Sequence, residues 1–206
     1  MQSFSDSIEI RGEKKKSLFV ETKSTIKSTF LFEKEEEYYS HIKNENRKNE
    51  FLQLRDLRNK TIGKVEIDYT SEGMPFLVDS SDFISISHST NFIGLIKAPF
   101  KIGLDLEEIH ERIAKVKNRF LNTEELIMMT DSLISLTIAW TLKEALFKLN
   151  NRTGIDFKTE LLIEEKTESG FNCKMLDNDG WRQVKLKVIQ KENLIISYNF
   201  EPSQLL

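Results

Sequence analysis

The sequence predicts an α+β protein built on antiparallel sheets, and three observations carry that expectation. Both halves read as strands and helices in segregated runs, not as the strict strand–helix alternation of a doubly wound parallel sheet. Many apolar residues recur with a period of two, as on a half-buried strand. Only three prolines and eight glycines occur in 206 residues, so regular structure should be continuous and its connections short.

Taken in order, residues 34 to 60 read as helical with a break near Asn44, and Phe51, Leu54 and Leu57 recur at the spacing of one buried stripe. The acidic run Glu33 to Glu37, interrupted by Lys34, reads as a solvated helix face. Val65, Ile67 and Tyr69 alternate as a strand, and Ser71-Glu72-Gly73-Met74-Pro75 is a turn. Strands follow at Phe83 to Ser87 and Phe92 to Lys97, then at the alternation of Ile102, Leu104 and Leu106 with Gly103, Asp105 and Glu107. Asn122 with Glu125 three residues on is a helix start. A longer helix spans Ser132 to Leu149, with Leu133, Leu136, Trp140 and Phe147 near one face, stopped by Asn150, Asn151 and Gly154. Leu161 to Glu164, Phe171 to Met175, Val184 to Val188 and Ile195 to Tyr198 alternate as strands. No linker and no repeat is visible by identity, and residues 1 to 40 and 160 to 206 carry no recognisable motif.

Composition narrows the function. With 39% hydrophobic and 31% charged residues the chain is an ordinary globular protein. A net charge of −3 supplies no bulk basic field for nucleic acid, so any anion site must be a local cluster. No apolar run is long enough to span a bilayer. Met1-Gln2-Ser3-Phe4-Ser5-Asp6 lacks the pattern of a secretion signal, and the cytoplasm is the expected address. The single cysteine, Cys173, excludes an internal disulfide and reads as a packed thiol.

The chemistry-bearing residues begin with Asp105 and Glu107, which a strand projects to one side. Two carboxylates held that close raise each other's pKa unless a cation intervenes, and hard oxygens suit Mg²⁺. Glu144, carried on the long helix, would be the third acidic ligand. Lys148 shares its face four residues on and Lys143 adjoins it. An exposed Glu–Lys pair is the plainer reading of that helix. The combination with the acidic strand favours a metal with two cations, as phosphoryl displacement requires. Ser85-Ile86-Ser87-His88-Ser89 ends a strand, where its hydroxyls either cap backbone groups or, with the imidazole, bind phosphate oxygens. Arg47, Lys48 and Arg55 could form an anion-binding face of a helix, or be solvated surface. Phosphate-loop and dinucleotide glycine motifs are both absent.

Together these residues resemble the 4′-phosphopantetheinyl transferase superfamily, specifically its larger monomeric, surfactin-synthetase-activator type. Gly103-Leu104-Asp105-Leu106-Glu107 is similar to the family's Gly-x-Asp-x-Glu, and Trp140 to Ala145 to its Trp-x-x-Lys-Glu-Ala. Arg119-Phe120-Leu121-Asn122-Thr123-Glu124-Glu125 resembles the intervening Arg-Phe-Phe-x-x-x-Glu segment, and Ser87-His88-Ser89 and Gly73-x-Pro75 occur upstream in the expected order.

The resemblance implies two similar α+β subdomains related by a pseudo-two-fold, each an antiparallel sheet packed with helices, with the active site in the cleft between them. Residues 1–98 would supply coenzyme A contacts and residues 99–206 the metal-binding and catalytic motifs, in a monomer. It implies transfer of phosphopantetheine from coenzyme A to a serine of an acyl or peptidyl carrier protein, releasing adenosine 3′,5′-bisphosphate. Asp105, Glu107 and Glu144 would hold Mg²⁺, Glu144 or a metal-bound water would take the serine proton, and Lys143 and Lys148 would balance the pyrophosphate. Ser87 and His88 would contact phosphate, the Gly73–Pro75 backbone would lie along the adenine, and Arg47 and Arg55 would meet the 3′-phosphate. The carrier is acidic in such systems, and the basic stretch Arg112, Lys115, Lys117 and Arg119 is the expected docking surface, not nucleic acid or membrane. Met74 stands where the family has lysine. That departure favours an alternative reading as a non-catalytic binding homologue, and the same carboxylates activating water would make a metal-dependent pyrophosphate hydrolase.

Overall fold

In the computed structural model, which describes residues 7–11, 16–129, 132–150 and 152–206, the alternating runs become antiparallel sheets. The chain divides into two units, Met1–Pro99 and Phe100–Leu206.

The first unit contains β1 (Ser7–Arg11), β2 (Ser17–Thr22), α1 (Glu33–His41), α2 (Glu45–Thr61), β3 (Ile67–Tyr69), β4 (Pro75–Leu77), β5 (Phe83–His88) and β6 (Phe92–Ala98). Its main sheet runs β1-β2-β6-β5, all neighbours antiparallel, and β3 and β4 form a separate hairpin. Phe19, Leu54, Leu57, Ile67, Leu77, Ile84, Ile93 and Leu95 form its core. The break expected near Asn44 is there: Asn44 caps α2, its Oδ1 accepting the Arg47 N–H at 3.0 Å. β1 and β2 were not expected. In β2, Leu18, Phe19 and Val20 are all buried, so the strand is covered on both faces and has no polar–apolar alternation to betray it.

The second unit contains β7 (Leu104–Glu108), α3 (Arg112–Phe120), α4 (Thr123–Met129), α5 (Leu133–Asn150), β8 (Leu161–Lys166), β9 (Phe171–Leu176), β10 (Trp181–Lys191), β11 (Leu194–Asn199) and β12 (Gln204–Leu205). The sheet order is β7-β11-β10-β9-β8, with β12 on the end of β10. The Asn122–Glu125 start of α4 forms as a reciprocal cap, with Glu125 N–H on Asn122 Oδ1 at 2.9 Å and Asn122 N–H on Glu125 Oε2 at 3.0 Å. α5 ends at Asn150, and Gly154 follows with φ +72°. Asn151, the other expected stop residue, lies outside the described residues.

A repeat invisible by identity is plain in the pairing. In each unit the strand just before the helices pairs with a strand near the unit's end: β2 with β6, β7 with β11. The longest helix comes next (α2, α5), then the hairpins β3–β4 and β8–β9, then β5–β6 and β10–β11. Topology needs only the pattern of buried positions, so it persists when identities have diverged.

Candidate active site

The site in the second unit is assembled by β7 and α5 and depends on how closely they approach. A Cβ built on Gly103 would lie 2.1 Å from the Ala145 carbonyl oxygen, so only glycine lets the strand reach the helix. Its N–H donates to Asn199 Oδ1 at 2.7 Å, and Asn199 Nδ2 donates to the carbonyls of Lys101 and Glu201, both at 3.0 Å. Thr141 Oγ1 and Ser197 Oγ share a buried hydrogen bond of 2.7 Å, tying α5 to the β11 residue that faces Asp105 in the ladder.

Half of α5 is buried, including Leu136, Leu142, Ala145, Leu146 and Leu149, while Trp140, Glu144 and Lys148 are only partly covered. Trp140 packs edge-on to Phe120 at 5.0 Å and stacks with Phe157 at 6.1 Å. Asp105 is buried, and Lys148 donates to its Oδ1 at 2.8 Å. Glu107 is partly buried, with His110 Nε2 3.3 Å from its Oε1. Burial, then the Asp105 charge, raises the pKa of Glu107. Glu144 is pushed up to about 7, by burial first, then Asp105, with Glu107 adding and Lys148 opposing. The three carboxylates therefore feel one another's fields and carry more negative charge than one lysine neutralises.

This hard-oxygen donor set has the chemistry of a site for Mg²⁺. The ligand sphere is not preassembled: among the described residues no group of three or more His, Cys, Asp or Glu side chains stands ready to hold a metal ion.

Lys143 requires a correction. The sequence reading puts its ammonium on a pyrophosphate, but the side chain is fully buried. Its three N–H groups go to Glu125 Oε1 at 2.5 Å, the Phe157 carbonyl at 2.8 Å and the Leu161 carbonyl. An ammonium has three donors, and all are used inside the core. Burial lowers its pKa, with Glu125 opposing. Cys173 is a free buried thiol whose pKa burial pushes up, consistent with a packed role.

The candidates of the first unit separate in the same way. Gly73 has φ +86° in a turn closed by Thr70 N–H on the Met74 carbonyl at 2.9 Å, and Pro75 opens β4 opposite Tyr69. Ser87 is buried near the end of β5, while His88 is exposed, its Nδ1 3.8 Å from Glu50 Oε1. Arg47 is exposed in the first turn of α2. Arg55 is the second correction, because a residue meant to meet a phosphate is 1% exposed. It donates to Glu35 Oε1 at 3.1 Å and lies over the Phe51 ring at 3.9 Å. Arg58 takes both Glu35 oxygens, at 3.0 and 3.1 Å. Glu35, read as part of a solvated acidic face, is thus the buried anchor of two arginines. Its position as the third residue of α1, with its Oε2 on the Phe32 N–H at 3.1 Å, is the only local signal.

The antiparallel α+β unit thus carries Asp105 and Glu107 on β7 and Glu144 and Lys148 on α5. Residues 101–198 match the family model of the 4′-phosphopantetheinyl transferase superfamily, and the match supports membership of that superfamily. It covers Asp105, Glu107, Glu125, Lys143, Glu144 and Lys148, and leaves Arg47, Arg55, Gly73, Pro75, Ser87 and His88 outside. No curated protein matches the chain.

Proposed function

We propose that the protein transfers 4′-phosphopantetheine from coenzyme A to a serine hydroxyl of an apo acyl or peptidyl carrier protein. The superfamily's activity is phosphopantetheinyl transfer, with coenzyme A as co-substrate and carrier proteins as acceptors. The observation that carries this reading is the close approach of α5 to β7 across Gly103, which sets Lys148 on Asp105 at 2.8 Å inside the matched segment. In the transfer, the serine oxygen bonds to the phosphorus bearing pantetheine, and the pyrophosphate bridge to that phosphorus breaks. The serine proton goes to Glu144 or to a water held at the same site, acting as general base. Lys148 supplies positive charge to the departing adenosine 3′,5′-bisphosphate. Asp105, Glu107 and Glu144 would hold Mg²⁺, which when bound neutralises pyrophosphate charge.

In this reading residues 99–206 carry the metal and catalytic groups, and residues 1–98 contact coenzyme A through Arg47, the Gly73–Pro75 backbone, Ser87 and His88. Arg55 and Lys143 are withdrawn from direct contact with substrate. The carrier docks on Arg112, Lys115, Lys117 and Arg119 of α3. The protein would act as a cytoplasmic monomer of the larger, surfactin-synthetase-activator type. No helix among the described residues is long and apolar enough to cross a membrane.

The test incubates the protein with coenzyme A, Mg²⁺ and several apo carriers, and weighs the carriers by intact mass spectrometry. The expected result is a gain of one phosphopantetheine that is lost in Glu144→Ala. Coenzyme A cleaved with no carrier modified would make the protein a hydrolase instead. Coenzyme A bound but neither cleaved nor transferred would make it a binding homologue.

A further inference from the structure

We propose that Glu125, acting through Lys143, is the positioning residue that holds Glu144 and Lys148 toward the β7 carboxylate. The inference rests on the transferase reading and adds to it a residue that touches no substrate.

Lys143 and Glu144 are consecutive on α5, so their side chains leave the helix about 100° apart. Fixing the direction of Lys143 therefore fixes the direction of Glu144, and of Lys148 one turn on. Lys143 is fixed at three points, on α4 through Glu125, on the loop at Phe157 and on the first residue of β8. Glu125 is itself fully engaged. Its Oε2 accepts the Asn122 N–H at 3.0 Å, and its Oε1 accepts the Ile163 N–H at 2.8 Å besides the lysine. The Gly103–Ala145 approach and the Thr141–Ser197 bond set the distance of α5 from β7 and β11. Neither of these contacts grips a long side chain; the buried clamp does, and it adds a three-point hold to the core packing of α5.

The first unit supplies independent support. There Glu35, third residue of α1, accepts the Phe32 N–H at 3.1 Å, the Ile67 N–H at 3.2 Å and Arg55 Nε at 3.1 Å. The pattern is the same: a helix-start carboxylate, the N–H before its helix, an N–H of the next strand and a cation from the long helix. In both units the clamped cation directly precedes an acid that has a lysine four residues on: Arg55-Asp56 with Lys60, and Lys143-Glu144 with Lys148. The clamp thus recurs at the position that orients this acid–lysine pair, although the cation has changed from guanidinium to ammonium.

The test compares Glu125→Gln, Lys143→Met and the double variant by steady-state kinetics per folded molecule. A misplacement of about 1 Å costs about 10²-fold in turnover. Glu125→Gln should therefore lower kcat by about one to two orders of magnitude with KM for coenzyme A within about twofold, and the double variant should be no worse than Lys143→Met. A Glu125→Gln variant with wild-type kcat overturns the proposal, as does a loss that vanishes when activity is counted per folded molecule. Glu125→Asp, which keeps the charge but shortens its reach, serves where the glutamine variant does not fold. A crystal structure of either variant gives a readout independent of turnover. The 2.8 Å Lys148–Asp105 contact should be broken, and its retention overturns the proposal. A wild-type protein that transfers nothing to any carrier defeats the transferase reading, and the crystallographic readout then decides the clamp alone.

Discussion

The two units share an order of strands and helices but not a sheet plan, since β3–β4 stand apart while β8–β9 join the main sheet, and they carry different charge balances. In the first, Glu21 of β2, Asp56 and Lys60 of α2 occupy the places that Asp105, Glu144 and Lys148 take in the second, by element order and by the spacing on the helix. Lys60 pairs with Asp56 on its own helix, so the helix acid is neutralised where it stands. Lys148 instead reaches across to the strand acid Asp105 at 2.8 Å, and Glu144 is pushed up to about 7 by burial and by Asp105, with Lys148 only partly opposing. The strands differ too: β7 offers two carboxylates on one side, Asp105 and Glu107, whereas β2 has Phe19 two residues before Glu21. The clamp is common property, and the pKa of Glu21 too is raised, by burial first, with Lys60 opposing and Asp56 adding; what the second unit adds is a further strand carboxylate, Glu107.

The sharpest way to break this contrast is to neutralise the helix acid in each unit. Glu144→Gln should lower the rate of carrier modification by about 10²- to 10⁴-fold, the range of general acid–base catalysis. Asp56→Asn should leave it within about twofold. Equal losses in both variants would mean that the acids serve folding alike and that the second unit has no special role.

The clamps give the next largest effect. Removing one partner of a buried ion pair leaves an uncompensated charge and costs about 3–5 kcal/mol. Lys143→Met, which strands Glu125, should show that full cost in urea unfolding. Arg58→Met should cost less, because Arg55 still donates to Glu35. The reverse order would mean that the two clamps are not equivalent.

Gly103→Ala tests the approach of β7 to α5. The added methyl would meet the Ala145 carbonyl at 2.1 Å, so the helix must shift. Overpacking of this kind costs about 1–3 kcal/mol. The variant should also lose transfer activity out of proportion to its stability, whereas Gly63→Ala, where a Cβ meets nothing within 4 Å at φ +89°, should affect stability alone.

The pH dependence follows from Glu144. Its folded pKa of about 7 lies above the ordinary carboxyl value of 4.5, so the folded state binds its proton more tightly than the unfolded chain does. Between those two values the folded state holds more protons, and stability falls as pH rises through that window. Glu144→Gln should therefore be more stable than wild type at pH 8, by on the order of 1–2 kcal/mol after allowing for its partial exposure, and should converge with it below pH 4.5. Mg²⁺ at pH 8 should raise the wild-type Tm and leave that of Glu144→Gln nearly unmoved. A wild-type Tm indifferent to Mg²⁺ at pH 8 would remove the metal from the proposal.

What the sequence reveals of all this depends on whether a residue's role is local. The alternation around Asp105, the cap at Asn122 and Glu125 and the break at Asn44 are properties of a few neighbouring residues, and each stands in the structure as read. β2 escapes because burial on both faces erases the period-two signal. Arg55 and Lys143 are misread for a deeper reason. A cation five or seven residues from another looks solvated or anion-binding, and only tertiary packing brings Glu35 or Glu125 to meet it. The internal repeat is hidden likewise, since it lives in strand pairing and in the sites of buried charge, not in identities.

The smallest predicted effect tests an element that the first unit lacks. Among the described residues no helix lies between β2 and α1, whereas α3 stands between β7 and α4. α3 buries Ile113 and Phe120 against the core and turns Arg112, Lys115 and Arg119 outward, with Lys117 partly covered. A cationic helix added to one copy of a repeated scaffold suits recognition of an acidic partner, because surface charge acts mainly on encounter. Reversing Lys115 and Lys117 to glutamate should raise KM for an acidic carrier several-fold, more at low salt than at 0.5 M. KM for coenzyme A and the Tm should stay where they were. If KM for carrier is unmoved at low salt, α3 is solvated surface and the carrier binds elsewhere.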